Sequence, residues 1–121
     1  MPRKEPGDSP AIEKGYWLVF VNSPIQSLID SRVQLDFDAV DTVTIGRDPQ
    51  NIVVIPESDI SRFHASLRKE GNKIILEDLK STNGTYLEDG KEFRRVDATT
   101  QVKLNSQIMI GKSTVLKLVR K

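Results

Sequence analysis

Three short segments combine hydroxyl, amide and arginine side chains in a pattern suited to holding an anion. They are Gly46-Arg47, Ser61-Arg62-Phe63-His64 and Ser81-Thr82-Asn83-Gly84. Hydroxyls and amides donate hydrogen bonds, and an arginine presents several N–H donors in a planar fork that matches carboxylate and phosphate oxygens. If the fold brings the three segments together, the sequence predicts an anion-binding site.

The elements that must position these segments have the alternation of β-strands. Val43 and Ile45 alternate with Thr42 and Thr44 before Gly46 ends the run, which is typical of a strand with one buried face. Similar runs are predicted over 16–21, 33–37, 52–55, 64–69, 73–78, 85–87, 102–104, 108–110 and 114–119, with one short helical turn near 24–29 and a polar stretch from 91 to 100. Many short strands separated by turn residues predict an all-β sandwich.

Composition narrows the class of protein. The chain has 121 residues, with 18 Lys plus Arg and 17 Asp plus Glu, so a single domain is expected and a nucleic-acid partner is disfavoured. Cysteine is absent, and no apolar run approaches the length that spans a bilayer. Residues 1–14 are polar and proline-rich, which predicts a disordered tail or linker before a domain at 15–121. We expect a soluble, cytoplasmic protein without membrane insertion.

Enzymatic chemistry is not expected. A nucleophile needs a positioned base, and the sequence offers one histidine and no cysteine. Neither zinc-ligand spacing nor a calcium-binding loop is present, so no metal or other cofactor is predicted. The sequence therefore favours a binding protein.

A close resemblance to the forkhead-associated (FHA) domain family is carried by Gly46-Arg47, by Ser61-Arg62-Phe63-His64 and by the run from Asp78 to Thr85, in this order and at loop-sized spacings. The resemblance extends from Gly15 onward, because Leu104-Asn105 and the run from Ile108 to Gly111 also fall where the late strands of that family lie. It implies an FHA/SMAD-like β-sandwich of two mainly antiparallel sheets with about eleven strands. It also implies a module that binds phosphothreonine peptides through loops at one end.

The resemblance assigns roles to the site residues. It implies that Arg47 and Ser61 contact the phosphate, that Thr82 supplies a further phosphate or loop contact, and that Asn83 hydrogen-bonds the peptide main chain. Arg62 is either a peptide or phosphate contact or a surface charge. Taken alone, an arginine after a strand is commonly solvated, and Ser61 could be an ordinary turn residue.

Further residues of the same segments have secondary or supporting roles. Lys80 and Ser81 are predicted to add charge or donors to the site. Gly46, His64 and Gly84 are predicted to support it, with His64 bracing the loops instead of acting in catalysis. The Asn83-Gly84 pair is also the strongest short turn signal, so a purely structural turn is the alternative.

The resulting hypothesis is a phosphothreonine-dependent protein–protein interaction module in Ser/Thr kinase signalling. Its partner would be a phosphothreonine-containing protein or peptide, either a Ser/Thr protein kinase or a kinase substrate. The alternative is an FHA-like scaffold that acts through phosphate-independent assembly or oligomerisation. Enzymatic activity is the third hypothesis, and the sequence favours it less than either of these two.

Overall fold

The computed structural model describes residues 15–120, which form eleven β-strands and one short 3₁₀ helix. The predicted tail, residues 1–14, lies outside the described residues. The strands are β1 (Tyr16–Asn22), β2 (Arg32–Leu35), β3 (Thr42–Gly46), β4 (Val53–Val54), β5 (Ala65–Glu70), β6 (Lys73–Asp78), β7 (Thr85–Asp89), β8 (Glu92–Arg95), β9 (Thr99–Val102), β10 (Gln107–Ile110) and β11 (Thr114–Arg120). The 3₁₀ helix, Gln26–Leu28, confirms the helical turn predicted between the first two strands.

The strands form two sheets. One has six strands in the order β2-β1-β11-β10-β7-β8, and the other has five in the order β4-β3-β5-β6-β9. The parallel pair is β3 with β4, whereas the pairs on either side of β1, β5 and β10 are antiparallel. This architecture confirms the predicted all-β sandwich of two mainly antiparallel sheets. Within residues 15–120, no helix is long and apolar enough to span a membrane.

Alternating side chains of both sheets fill the space between them. In β3, Val43 and Ile45 are fully buried, whereas Thr42 is exposed and Thr44 half-buried, as the period of two predicted. Full burial of one such aliphatic side chain contributes about 1.5–3 kcal/mol to the free energy of folding. The strands, and the loop ends attached to them, are therefore held in place by a continuous apolar core.

Two elements differ from the sequence prediction. Residues 92–95, predicted as part of a polar stretch, form β8 at the edge of the six-stranded sheet. An edge strand pairs on one side only and is largely exposed. Such a strand can therefore form with one half-buried apolar residue, which in β8 is Phe93. The strand predicted at 102–104 is wrong: β9 ends at Val102, and Leu104 is exposed in the following turn.

Four loops meet at one end of the sandwich. They join β3 to β4, β4 to β5, β6 to β7, and β10 to β11. The Arg47 N–H donates to the Ser61 carbonyl at 3.0 Å, the Thr82 N–H donates to the Ser61 hydroxyl oxygen at 3.0 Å, and the Gly111 N–H donates to the Gly84 carbonyl at 3.0 Å. The three predicted segments are therefore brought together, and a fourth loop joins them.

Candidate functional site

The stretch from Asp59 to Ser61 is the hub of the site, because its consecutive main-chain carbonyls hold side chains and backbone of two other loops. The Asp59 carbonyl accepts from Nδ2 of Asn83 at 2.7 Å, and the Ile60 carbonyl accepts from Nε of Arg47 at 2.9 Å. The Ser61 carbonyl accepts the main-chain N–H of Arg47. Arg47 is exposed, and with Nε engaged behind it, its terminal guanidinium nitrogens remain for a ligand.

A close backbone approach fixes the loop that carries Arg47. A β-carbon on Gly46 would overlap the Arg62 carbonyl oxygen and lie 2.8 Å from Nδ2 of Asn51. That amide donates to the Arg62 carbonyl at 2.6 Å and to the Asp48 carbonyl at 2.8 Å. The absence of a side chain at Gly46 therefore lets the loop that carries Arg47 pack closely against the Arg62 carbonyl. Asn51 is a supporting residue that the sequence did not indicate, since its burial becomes visible only in the fold.

The hydroxyl of Ser61 accepts a hydrogen bond within the protein and can still donate one to a ligand. Its hydroxyl oxygen accepts the N–H of Thr82, so its own O–H remains to donate outward. Its main-chain N–H donates to Nδ1 of His64 at 3.0 Å. The Thr82 N–H therefore holds the hydroxyl oxygen from the neighbouring loop, and the hydroxyl proton is available to a ligand.

His64 braces two loops from inside the protein. The ring is fully buried, and because Nδ1 accepts from Ser61, the proton of the neutral ring lies on Nε2. Nε2 donates to the Gly84 carbonyl at 2.8 Å. Burial lowers the pKa of His64, against the opposing effects of the Gly84 carbonyl and of the charges on Asp78 and Asp59. Both ring nitrogens are engaged, so the ring supports the loops and has no free nitrogen for proton transfer.

A carboxylate organises the turn before β7. The Asp78 carboxylate accepts from the hydroxyls of Ser81 and Thr85, at 2.6 and 2.7 Å, and from the Ser81 N–H at 3.2 Å. The Ser81 oxygen in turn accepts the N–H of Gly84, whose φ of +92° suits glycine. Ser81, predicted as a secondary ligand contact, is therefore buried with its hydroxyl committed to the loop. Asp78 lies in the run that carries the resemblance, but no role was predicted for it, although Asp is a common turn residue whose carboxylate bonds to the backbone that follows.

An open depression of about 500 Å³ lies where these loops meet. Its lining residues are Arg47, Ser61, Arg62, Phe63 and Thr82. Four of the five are predicted ligand contacts. The fifth, Phe63, has 43% of its surface exposed and was missed. An aromatic residue directly before the buried histidine was the available signal.

The remaining predicted residues do not line this depression. Asn83 is half-buried beside it, held by the Asp59 carbonyl, and Lys80 is exposed with a positive φ of 58°. Gly46, His64 and Gly84 lie behind the lining residues.

The chemistry of the depression is that of an anion site. Its polar side chains are a guanidinium fork, hydroxyls and a second arginine, and these groups donate hydrogen bonds to negatively charged oxygens. In the neighbouring loops the Asp59 and Asp78 carboxylates accept N–H and O–H groups of the protein itself. Within residues 15–120, no group of three or more His, Asp or Glu side chains could hold a metal ion.

A larger cleft of about 880 Å³ lies beside β8 and β9, but its charges are mixed. It is lined by Arg94, Arg95 and Lys103 and also by Glu88, Asp89 and Asp97 among others. Arg94 is already paired with Asp89 at 2.6 Å. The smaller depression is therefore the better anion site, because its charged side chains are all basic.

The fold and the loop site define a class of protein: a two-sheet β-sandwich that presents a cationic, donor-rich depression between loops at one end. A family model for the FHA domain matches residues 43–111. The chain therefore belongs to the FHA domain family, and the resemblance seen in the sequence is confirmed.

Similar proteins are found among curated sequences. The FHA domain-containing protein FhaB of Mycolicibacterium smegmatis is 36% identical over 73 residues, which cover 60% of this chain and 44% of that protein. FhaB of Mycobacterium tuberculosis H37Rv gives the same figures. The matched region thus spans less than half the length of these relatives.

Solved structures share the fold. The FHA domain of the CT664 protein from Chlamydia trachomatis has a TM-score of 0.73 at 26% identity, covering 88% of this chain and 98% of that domain. EmbR of Mycobacterium tuberculosis in complex with a low-affinity phosphopeptide has a TM-score of 0.72 at 20% identity. The match covers 89% of this chain and 25% of the EmbR chain. The N-terminal FHA domain of Rad53p from S. cerevisiae, in complex with a phosphothreonine peptide, has a TM-score of 0.69 at 18% identity. The match covers 88% of this chain and 94% of the Rad53p domain.

Proposed function

We propose that this domain binds a phosphothreonine-containing segment of a partner protein in the depression between its loops. The observation that carries the proposal is the convergence of Arg47, Ser61 and Thr82 on one solvent-open surface, with donors of Arg47 and Ser61 left unused by residues 15–120. A phosphate group at pH 7 carries a charge of roughly −1.5 to −2 and three acceptor oxygens. It complements this set of donors in both charge and hydrogen bonding.

The neighbouring residues hold the peptide around the phosphate. Nδ2 of Asn83 donates to the Asp59 carbonyl. The Oδ1 atom of Asn83 is therefore left to accept a main-chain N–H of an extended peptide. The exposed ring of Phe63 offers an apolar surface at the same depression, and the exposed Arg62 adds a second positive charge. Lys80 contributes charge at the edge of the site, while Ser81 keeps the loop in shape.

The complexes of EmbR and Rad53p with phosphorylated peptides support this proposal, because both have the fold found here. The partner would be a Ser/Thr protein kinase or one of its substrates, and the protein would act in the cytoplasm as a binding module without catalytic activity. Residues 15–121 would form this module, with 1–14 as a tail or linker.

Calorimetric titration against matched peptide libraries tests the proposal. Three libraries share degenerate flanking positions and differ at the central residue, which is threonine, phosphothreonine or phosphoserine. We expect the phosphothreonine library to bind, the phosphoserine library to bind more weakly, and the threonine library to give no measurable heat. Equal binding of the threonine and phosphothreonine libraries would contradict the proposal. Self-association that phosphatase treatment leaves unchanged would favour the scaffold alternative.

A further inference from the structure

Asp59 contacts two loops at once, and neither contact was expected from the sequence. Its main-chain carbonyl accepts from Nδ2 of Asn83 at 2.7 Å. Its carboxylate oxygen Oδ2 accepts the main-chain N–H of Lys112 at 2.8 Å, across 53 positions of sequence. One residue therefore joins the loop before β5 both to the loop before β7 and to the turn between β10 and β11.

The β10–β11 turn is shaped to receive this carboxylate. Gly111 has a φ of +70°, and a β-carbon built there would lie 2.7 Å from Oδ2 of Asp59 and 3.2 Å from its carbonyl oxygen. The Gly111 N–H also donates to the Gly84 carbonyl at 3.0 Å. The turn thus bonds to the residues on both sides of the Asn83–Asp59 contact.

The orientation of the Asn83 amide depends on this arrangement. A carboxamide has a donor end and an acceptor end. Among the contacts within the described part of the chain, the bond to the Asp59 carbonyl directs Nδ2 inward and leaves Oδ1 for a ligand. If the Asp59 carbonyl moves, the amide loses the contact that distinguishes its two ends. A ligand main-chain N–H would then meet a donor as readily as an acceptor.

We propose that Asp59 is a positioning residue for Asn83, and that through it the β10–β11 turn forms part of the peptide-binding site. This inference rests on the proposed function, since it assigns Asp59 to the recognition of the peptide main chain and leaves phosphate capture to Arg47 and Ser61. The turn is distant in sequence from all three segments that first indicated the site. Its contribution comes from two backbone N–H groups and one glycine.

The first test compares D59A and D59N with the wild type, using a phosphothreonine peptide and free phosphothreonine as ligands in calorimetry. We expect D59A to weaken peptide binding about tenfold, which corresponds to ~1.4 kcal/mol, because the Asn83 amide loses one hydrogen bond to the peptide main chain. Free phosphothreonine should bind D59A within about twofold of the wild type. D59N should lose less than D59A, because its amide oxygen can still accept the Lys112 N–H.

The second test approaches the same carboxylate from the turn. G111A places a methyl group against Oδ2 of Asp59, whereas G71A, at a φ of +62°, has no atom within 4 Å of the added carbon. Both substitutions impose similar backbone strain, so G71A is the matched control. We expect G111A, and not G71A, to weaken peptide binding.

Three results would overturn the inference. They are wild-type peptide affinity in D59A, an equal loss of affinity for peptide and free phosphothreonine, and equal peptide binding by G111A and G71A. If the wild type itself shows no preference for phosphorylated peptides, the proposed function fails while the positioning role is still measurable. The side-chain amide protons of Asn83 should then shift in NMR spectra of D59A and G111A, and unchanged resonances would refute that role.

Discussion

Replacement of Arg47 by alanine should abolish phosphate recognition while the fold persists. An arginine has five N–H donors, and within residues 15–120 only Nε of Arg47 is engaged, donating to the Ile60 carbonyl at 2.9 Å. Two of the remaining donors can bond a phosphate in parallel, and a hydrogen bond to a charged group contributes about 1.5–3 kcal/mol. Because the site is open to water, we take the lower end, which gives a loss of about 3 kcal/mol, or more than a hundredfold in Kd.

The fold should tolerate this change because Arg47 is exposed and lies outside the core. The Ile60 carbonyl loses its partner, but removal of the exposed Arg47 side chain opens this carbonyl to water, so the free energy of unfolding should fall by no more than about 1 kcal/mol. R47K, which keeps the charge and loses the fork, should bind with intermediate affinity. R94A is the matched control, since Arg94 is an exposed arginine paired with Asp89 on β7–β8.

Calorimetry with a phosphothreonine peptide and thermal unfolding of each variant make the measurement. If R47A and R94A both bind within about twofold of the wild type, Arg47 is not a phosphate ligand, since two hydrogen bonds to phosphate cannot be lost at so small a cost. If R47K binds the peptide as tightly as the wild type, the fork geometry of the arginine contributes nothing, which contradicts the parallel bonding expected of it.

Three further predictions concern the support behind the site. Because burial lowers the pKa of His64, the unfolded chain binds a proton first as the pH falls; the free energy of unfolding should therefore decrease below about pH 6.5. Urea titrations from pH 5 to 8 should show this decrease and its absence in H64A. Gly84→Ala should destabilise the fold by about 1–3 kcal/mol, since its φ is +92° and the new carbon would lie 2.9 Å from the Tyr86 hydroxyl, whereas G90A, with open space, should cost less in the same thermal assay. Ser81→Ala leaves the buried Gly84 N–H without its acceptor and should cost about 1–3 kcal/mol in urea unfolding, and a wild-type midpoint would contradict the bracing role of that hydroxyl.

The sheets could be predicted from the sequence because burial on one face produces a period of two. Val43 and Ile45 against Thr42 and Thr44 show this directly. The edge strand β8 could not, since a strand with one neighbour and little burial leaves no such pattern, and Phe93 is its single apolar residue.

Most of the residues that line the candidate site were also predicted from the sequence, whereas the residues that support it were predicted only in part, as Gly46, His64 and Gly84. Arg47 and Ser61 belong to segments whose residue types indicate anion binding. Asn51, Asp59 and Asp78 act by bonding to main-chain groups or to residues of other loops, and such contacts exist only once the chain has folded. Ser81 resembled a ligand contact because a hydroxyl in a polar loop looks the same whether it faces water or a buried carboxylate.

The most direct test of the central claim is a crystal structure of this domain with a phosphothreonine peptide. We predict that the phosphate oxygens lie at hydrogen-bonding distance, about 2.7–3.2 Å, from the Arg47 guanidinium and the Ser61 hydroxyl, with Oδ1 of Asn83 bonded to the peptide main chain. A phosphate bound elsewhere, for instance beside Arg95 in the cleft along β8 and β9, would contradict the account.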